Sequence, residues 1–158
     1  MIKIAFFDTK EYDKKIFGEY NKEYKYDIKY FDSQLNKETA PLAKGFDVVC
    51  VFVNDVVDKE TIQILRECGV KLIALRCAGF NNVSIEDLDD EIKAVRVPAY
   101  SPHAVAEHAT ALLLEIDRKI YKAYQRTKKY NFTLNGLVGF DIYGKTVGVI
   151  GTGKIGKE

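Results

Sequence analysis

Short β-rich runs alternate with polar, helix-forming stretches over residues 1–100, which predicts an α/β fold with a parallel sheet. Two further observations sharpen that class. Residues 47–53 (DVVCVFV) are almost wholly apolar, as a central strand covered on both faces must be. Near the end of the chain, residues 146–150 (TVGVI) run directly into a glycine-rich loop, the way a new strand–loop–helix unit begins.

Taken in order, residues 2–8 read as the first strand and 11–20 as a helix. Residues 26–31 alternate aromatic or aliphatic with polar side chains, the pattern of a second strand. The apolar run at 47–53 follows. Asp58 then opens a helix over 58–68, with Ile62, Ile64 and Leu65 turned inward and Gly69 as its stop. Residues 71–76 and 93–97 supply two more strands.

Ser101 can cap the next helix, and Pro102 suits its first turn. Apolar residues recur at Val105, Ala109, Leu112, Leu113, Ile116, Ile120 and Tyr124, in steps of three and four. The spacing predicts one long helix running to about Lys128. At 1.5 Å per residue it reaches ~40 Å, longer than one small domain, so it is expected to bridge two. Lys122, Arg126, Lys128 and Lys129 gather at its C-terminal end, where they suit the helix dipole and read as a solvated face. Residues 131–144, with Gly136, Gly139 and Gly144, are turn-rich, and 146–150 are expected as a fresh strand.

Composition narrows the partners. A chain of 158 residues has room for one domain and the beginning of a second. A net charge of +1 provides no global field to recruit nucleic acid or an anionic membrane, so neither is expected as a partner. Cys50, Cys68 and Cys77 are odd in number and show no CxxC spacing; Cys50 and Cys77 lie in apolar runs and read as buried, reduced thiols. The N-terminal residues lack the apolar stretch of a signal peptide, and no run approaches the ~20 residues that span a bilayer. A cytoplasmic protein is the expectation.

Gly151, Gly153 and Gly156 form Gly-x-Gly-x-x-Gly directly after the last β-rich run. In a dinucleotide-binding loop the first glycine makes the tight turn, the second lets backbone approach a pyrophosphate, and the third lets helix pack on strand. The same residues nearly match a P-loop, with Gly151, Gly156 and Lys157, but Glu158 stands where a hydroxyl should ligate Mg²⁺. A plain glycine turn is the third reading. His103 and His108 are five apart, so on a helix they diverge and do not form a shared metal site; none is expected.

Four segments carry more information than the loop alone: LRCAGFNNV at 75–83, VRVPAYSPHAVAEH at 95–108, QRTKKYNF at 125–132 and YGKTVGVIGTGKIG at 143–156. Together, in this order and spacing, they resemble the D-2-hydroxyacid dehydrogenase family, nearest to its fermentative D-lactate-forming subgroup. The resemblance implies a two-domain enzyme with its active site in the cleft between domains. Residues 1–100 would be a flavodoxin-like, parallel-sheet substrate domain. Residues 101–158 would hold the hinge helix and the start of a Rossmann NAD-binding domain.

The resemblance also implies roles. Backbone N–H groups at Ala78 and Gly79 would take the substrate carboxylate, and a small-residue turn after a strand gives the close approach this needs. Tyr100 would line the substrate pocket. Val105 would pack near the nicotinamide, although a core valine on the helix explains it equally well. Gly151, Thr152, Gly153, Lys154, Ile155 and Gly156 would contact NAD. His108, next to Glu107, would order the hinge helix, and His103 would help its entry. Asn81 departs from the aspartate common in the wider family.

The implied reaction is reversible hydride transfer between NADH and pyruvate, with an arginine, a glutamate and a histidine as catalytic groups. None of these three is expected within residues 1–158; Arg76, Arg96, Arg118 and Arg126 do not occupy the matching position. This piece is therefore expected to be inactive by itself, and a homodimer is expected of the full-length protein. The acid that separates NAD from NADP would follow about twenty residues after the loop. Alternative readings are another D-2-hydroxyacid dehydrogenase, a non-catalytic NAD-sensing module of the same family, and a P-loop hydrolase fragment, which Glu158 opposes.

Overall fold

Strand β1 (Lys3–Phe6) pairs in parallel with a strand on each side, and everything in the first part of the chain is arranged around it. The computed structural model describes residues 1–158, which divide into two compact units, Met1–Pro98 and Ala99–Glu158.

In the first unit, β1 is followed by α1 (Glu11–Tyr24), β2 (Asp27–Tyr30), β3 (Val48–Val51), α2 (Lys59–Glu67), β4 (Leu72–Leu75) and β5 (Lys93–Arg96). The five strands form one parallel sheet in the order β2-β1-β3-β4-β5. That is the flavodoxin-like order, so the expected α/β class is observed. Ile4 lies opposite Val48, Val49 opposite Ile73 and Ile73 opposite Ala94. Burial follows position: β3 is buried over Val49–Val51, while β2 alternates between exposed and half-buried residues as an edge strand should.

One face of the sheet packs Ala5, Val49, Val51, Ile73 and Leu75 against Ile62 and Leu65 of α2, joined by Phe7, Leu35, Val57 and Ile92 from the connections. Phe6 is likewise buried and meets Phe17 of α1 edge-on, with ring centroids 4.9 Å apart. Helix α2 begins as the sequence predicts: the Asp58 carboxylate accepts from the Thr61 N–H at 2.9 Å, and Gly69 ends it with φ of +88°. Helix α1 runs past residue 20, to Tyr24. Lys25 stops it in a left-handed conformation, and the Asn21 side chain bridges both backbone groups of Tyr26 at 2.8 Å.

The second unit holds α3 (Pro102–Arg118), α4 (Ile120–Thr127) and the single turn α5 (Lys154–Lys157). Ser101 caps α3 through its Oγ, which accepts from the Ala104 N–H at 3.2 Å. Two sequence expectations are corrected here. The helix over 101–128 is two helices, broken at Lys119, whose φ is +54°. Glu115 makes the break: its carbonyl accepts the Lys119 N–H, and its carboxylate accepts the Tyr121 N–H at 2.7 Å, capping α4. Apolar periodicity continues across such a joint, because Ile116 and Ile120 keep their spacing whichever way the backbone turns. The other correction concerns residues 146–150, which form no strand. A β-rich run becomes a strand only when another strand accepts its backbone groups, and this unit has none.

The segment after α4 is held by side chains. The Arg126 guanidinium donates to the carbonyls of Thr133 (3.1 Å) and Asn135 (2.6 Å), and the Lys122 ammonium to that of Gly136 (3.3 Å). The buried Asp117 carboxylate accepts the Phe140 N–H at 3.0 Å, and Gly139 leaves no room for a Cβ against it. Part of the basic run read as a solvated face thus binds backbone. No helix is long and apolar enough to cross a membrane.

Candidate functional site

Ligands of parallel α/β sheets approach the C-terminal ends of the strands, so the residues just after β1, β3 and β4 are the first place to look. Residues 77–80 leave β4 as a bend, with Cys77 buried, Ala78 half-buried, and Gly79 and Phe80 exposed. Three consecutive carbonyls of this bend are engaged. That of Cys77 accepts the Val97 N–H at 3.2 Å, that of Ala78 accepts Arg96 Nη1 at 2.6 Å, and that of Gly79 accepts the Cys77 thiol at 3.3 Å. The N–H groups of Ala78, Gly79 and Phe80 have no acceptor within the chain. A row of free backbone donors on an exposed turn can bind a carboxylate.

Arg76 braces the bend from the other side. Its guanidinium donates to the carbonyls of Phe7 (3.1 Å) and Asp8 (2.7 Å) and lies 3.5 Å from the Asp13 carboxylate. It is also stacked between the rings of Phe6 and Phe52, 4.6 and 4.7 Å from their centroids. This burial is tolerable because every side of the cation has a partner. Cys50 is buried as the sequence predicts, and desolvation pushes its thiol pKa up to about 12, so it is inert. Cys77 is buried as well, and burial raises its thiol pKa too, which keeps the proton it donates to Gly79.

The remaining predicted site residues belong to the second unit. Tyr100 lies just before α3 with its ring exposed, and Val105 is partly exposed on α3. In the glycine loop, Gly151 adopts φ of +99°, which a side chain would strain. A Cβ on Gly156 would run into the Gly151 carbonyl oxygen, whereas one on Gly153 would point into open space. Gly151 is thus required by a left-handed turn and Gly156 by close packing, while the space beside Gly153 is open.

The sequence reading missed a contact here. His103 Nδ1 lies 2.8 Å from the Glu158 carboxylate, at one end of a groove of about 390 Å³ that Ala106, Glu107, Thr110, Ala111 and Leu114 also line. No local pattern signals a pair separated by most of the unit. His108 is exposed and points elsewhere, as the five-residue spacing requires. Arg96 was also missed as a contributor to the bend. The signal available was parallel register, which sets position 96 opposite position 75 and so brings the two strand ends together.

Comparison with known proteins agrees with this fold. The family model for the catalytic domain of D-isomer specific 2-hydroxyacid dehydrogenases matches residues 4–150. The 2-hydroxyacid dehydrogenase homolog 1 of Schizosaccharomyces pombe is 54% identical over 156 residues, covering 98% of this chain and 47% of the relative. The apo-structure of D-lactate dehydrogenase from Escherichia coli superposes with a TM-score of 0.92 at 50% identity, covering 98% of this chain and 50% of that one. A D-isomer specific 2-hydroxyacid dehydrogenase from Lactobacillus delbrueckii ssp. bulgaricus, in its NAD-complexed form, superposes with a TM-score of 0.71 at 32% identity, covering 98% of this chain and 48% of that one. The chain spans about half the length of the curated relatives it matches.

Proposed function

The chain belongs to the D-isomer specific 2-hydroxyacid dehydrogenase family, and from that premise we propose that it is the amino-terminal part of an NAD-dependent D-lactate dehydrogenase that reduces pyruvate to D-lactate. Residues 1–100 are its substrate domain, and 101–158 are its hinge helix and the first part of its NAD-binding domain. The observation that carries the reading is the bend after β4, whose Ala78 and Gly79 N–H groups lack acceptors on an exposed turn.

The site residues act as follows. Ala78 and Gly79 bind the carboxylate of the keto acid through backbone N–H groups, which hold the molecule at its charged end and leave the carbonyl carbon free to react. Tyr100 offers its ring to the methyl group of the keto acid and its hydroxyl as a hydrogen-bond partner. The glycine loop fits a dinucleotide: Gly151 turns the backbone, Gly156 packs without a side chain, and Gly153 leaves open space for the ligand. Thr152, Lys154 and Ile155 complete that contact, with Val105 beside the nicotinamide. NADH supplies the hydride when it is bound there. A homodimer in the complete enzyme and a cytoplasmic location complete the proposal.

The test is pyruvate-dependent oxidation of NADH by the complete polypeptide that contains residues 1–158. Turnover on the order of 10 s⁻¹, the enzyme median, with the D isomer as product, is expected. NADH binding with no reduction of pyruvate or of longer 2-keto acids would instead make the protein a cofactor-sensing module.

A further inference from the structure

The bend after β4 has a feature that carboxylate binding alone does not require. A peptide unit is planar and trans, so its C=O and N–H point in opposite directions. Fixing one carbonyl therefore aims the N–H of the following residue. In residues 77–80 the Cys77 carbonyl is held by the Val97 N–H, the Ala78 carbonyl by Arg96 and the Gly79 carbonyl by the Cys77 thiol. The matching N–H groups, of Ala78, Gly79 and Phe80 respectively, have no acceptor, and neither has that of Cys77.

Among the three anchors, Arg96 is the only charged group, and it makes the shortest bond, 2.6 Å. It stands at the end of β5, and its guanidinium also lies over the Phe80 ring, 4.9 Å from the centroid. It therefore grips the bend twice, through the backbone of Ala78 and through the side chain of Phe80. A cation on the Ala78 carbonyl polarises that peptide and makes the Gly79 N–H a stronger donor. Lysine could supply the charge, but not the planar group that donates and stacks at once.

We propose that Arg96 is a positioning residue for carboxylate recognition: it holds the Ala78–Gly79 peptide so that the Gly79 N–H is aimed and strengthened toward the substrate's carboxylate. It touches neither substrate nor cofactor and acts through the peptide it grips. This rests on the reading that the bend binds the keto-acid carboxylate.

The test compares the complete polypeptide with its R96A and R96K variants in pyruvate reduction, and follows the amide NMR signals of Gly79 and Phe80 in residues 1–158 as pyruvate is added. R96A is expected to raise KM for pyruvate roughly ten- to hundredfold, the range for loss of one charge-assisted hydrogen bond, while KM for NADH stays unchanged. R96K should recover part of that loss. In the NMR titration, pyruvate should move the Gly79 signal in the parent sequence and not in R96A. Unchanged KM for pyruvate in an active R96A enzyme overturns the proposal. So does a loss that falls equally on both substrates and is not restored by lysine, because that marks a merely structural role. If the parent enzyme turns over pyruvate and the Gly79 signal never responds to it, the carboxylate reading of the bend is overturned, and the role of Arg96 with it. If the parent enzyme reduces no 2-keto acid at all, the failure lies in the assigned activity.

Discussion

The two units of this chain use the same alphabet of apolar runs and glycines, yet one closes a core and the other does not. In Met1–Pro98 the strands bury Ala5, Val49 and Ile73 completely. In Ala99–Glu158 the residue that is buried is an aspartate, Asp117, while Leu112, Leu113, Ile116 and Ile120 of the apolar stripe are exposed, as are Val147, Val149 and Ile150. The difference lies in partners rather than composition. A five-stranded ladder gives each run of the first unit a neighbour on at least one side, whereas TVGVI meets no second strand. Hydrophobicity supplies the drive for burial, and hydrogen-bonded neighbours decide where it can be satisfied.

Hydrogen exchange on residues 1–158 tests this contrast where it is widest. Amides of β1, β3 and β4 are expected to exchange orders of magnitude more slowly than those of residues 146–150, since protection follows buried, bonded backbone. Slow exchange at Val147 and Val149 would break the comparison. Substitution comes next in size. Phe7→Ala removes a fully buried ring and should cost about 3–5 kcal/mol in denaturant unfolding. Leu113→Ala, on the exposed stripe, should change stability by no more than about 0.5 kcal/mol. Comparable losses at the two positions would show that the stripe is covered.

The smallest effect concerns the cap of α2. Asp58→Ala should cost about 1 kcal/mol at neutral pH. The bond from the Thr61 N–H lowers the folded-state pKa of this carboxyl below its ordinary value. Its contribution is therefore complete above the unfolded pKa and disappears as pH falls through the lower, folded value. The difference in melting temperature between parent and variant should be constant near neutrality and shrink in acid. A difference that grew as pH fell would contradict the assigned cap.

Much of the first unit was legible in the sequence because its signals are local: alternation at 26–31, the continuous apolar run at 47–53, a carboxylate at Asp58 and a glycine at Gly69. The parallel class followed from their sequence. What was not legible depends on groups that meet through the fold. The break at Lys119 requires the Glu115 carboxylate to cap α4, and a repeat of three and four does not register a change of direction. The absence of a strand at 146–150 depends on a missing neighbour, which no run announces about itself. At the site, Ala78 and Gly79 could be singled out by resemblance, and Gly151, Gly153 and Gly156 by the conformations they allow. Arg96 was visible only as an arginine in the wrong place for catalysis, since its bond to Ala78 exists only once β4 and β5 are side by side.

Arg76 has a consequence for motion as well as for shape. One guanidinium receives the end of β1 through Phe7 and Asp8, faces Asp13 in the first turn of α1, and is stacked between Phe6 and Phe52. The N-terminal turn of α1 cannot lift away without unloading the same cation that fixes how the chain leaves β4. The two segments therefore share one opening event: in a denaturant series, exchange of the bonded amides of Asp13 and Lys14, at the start of α1, and of Arg76, where the chain leaves β4, is expected to follow a single isotherm.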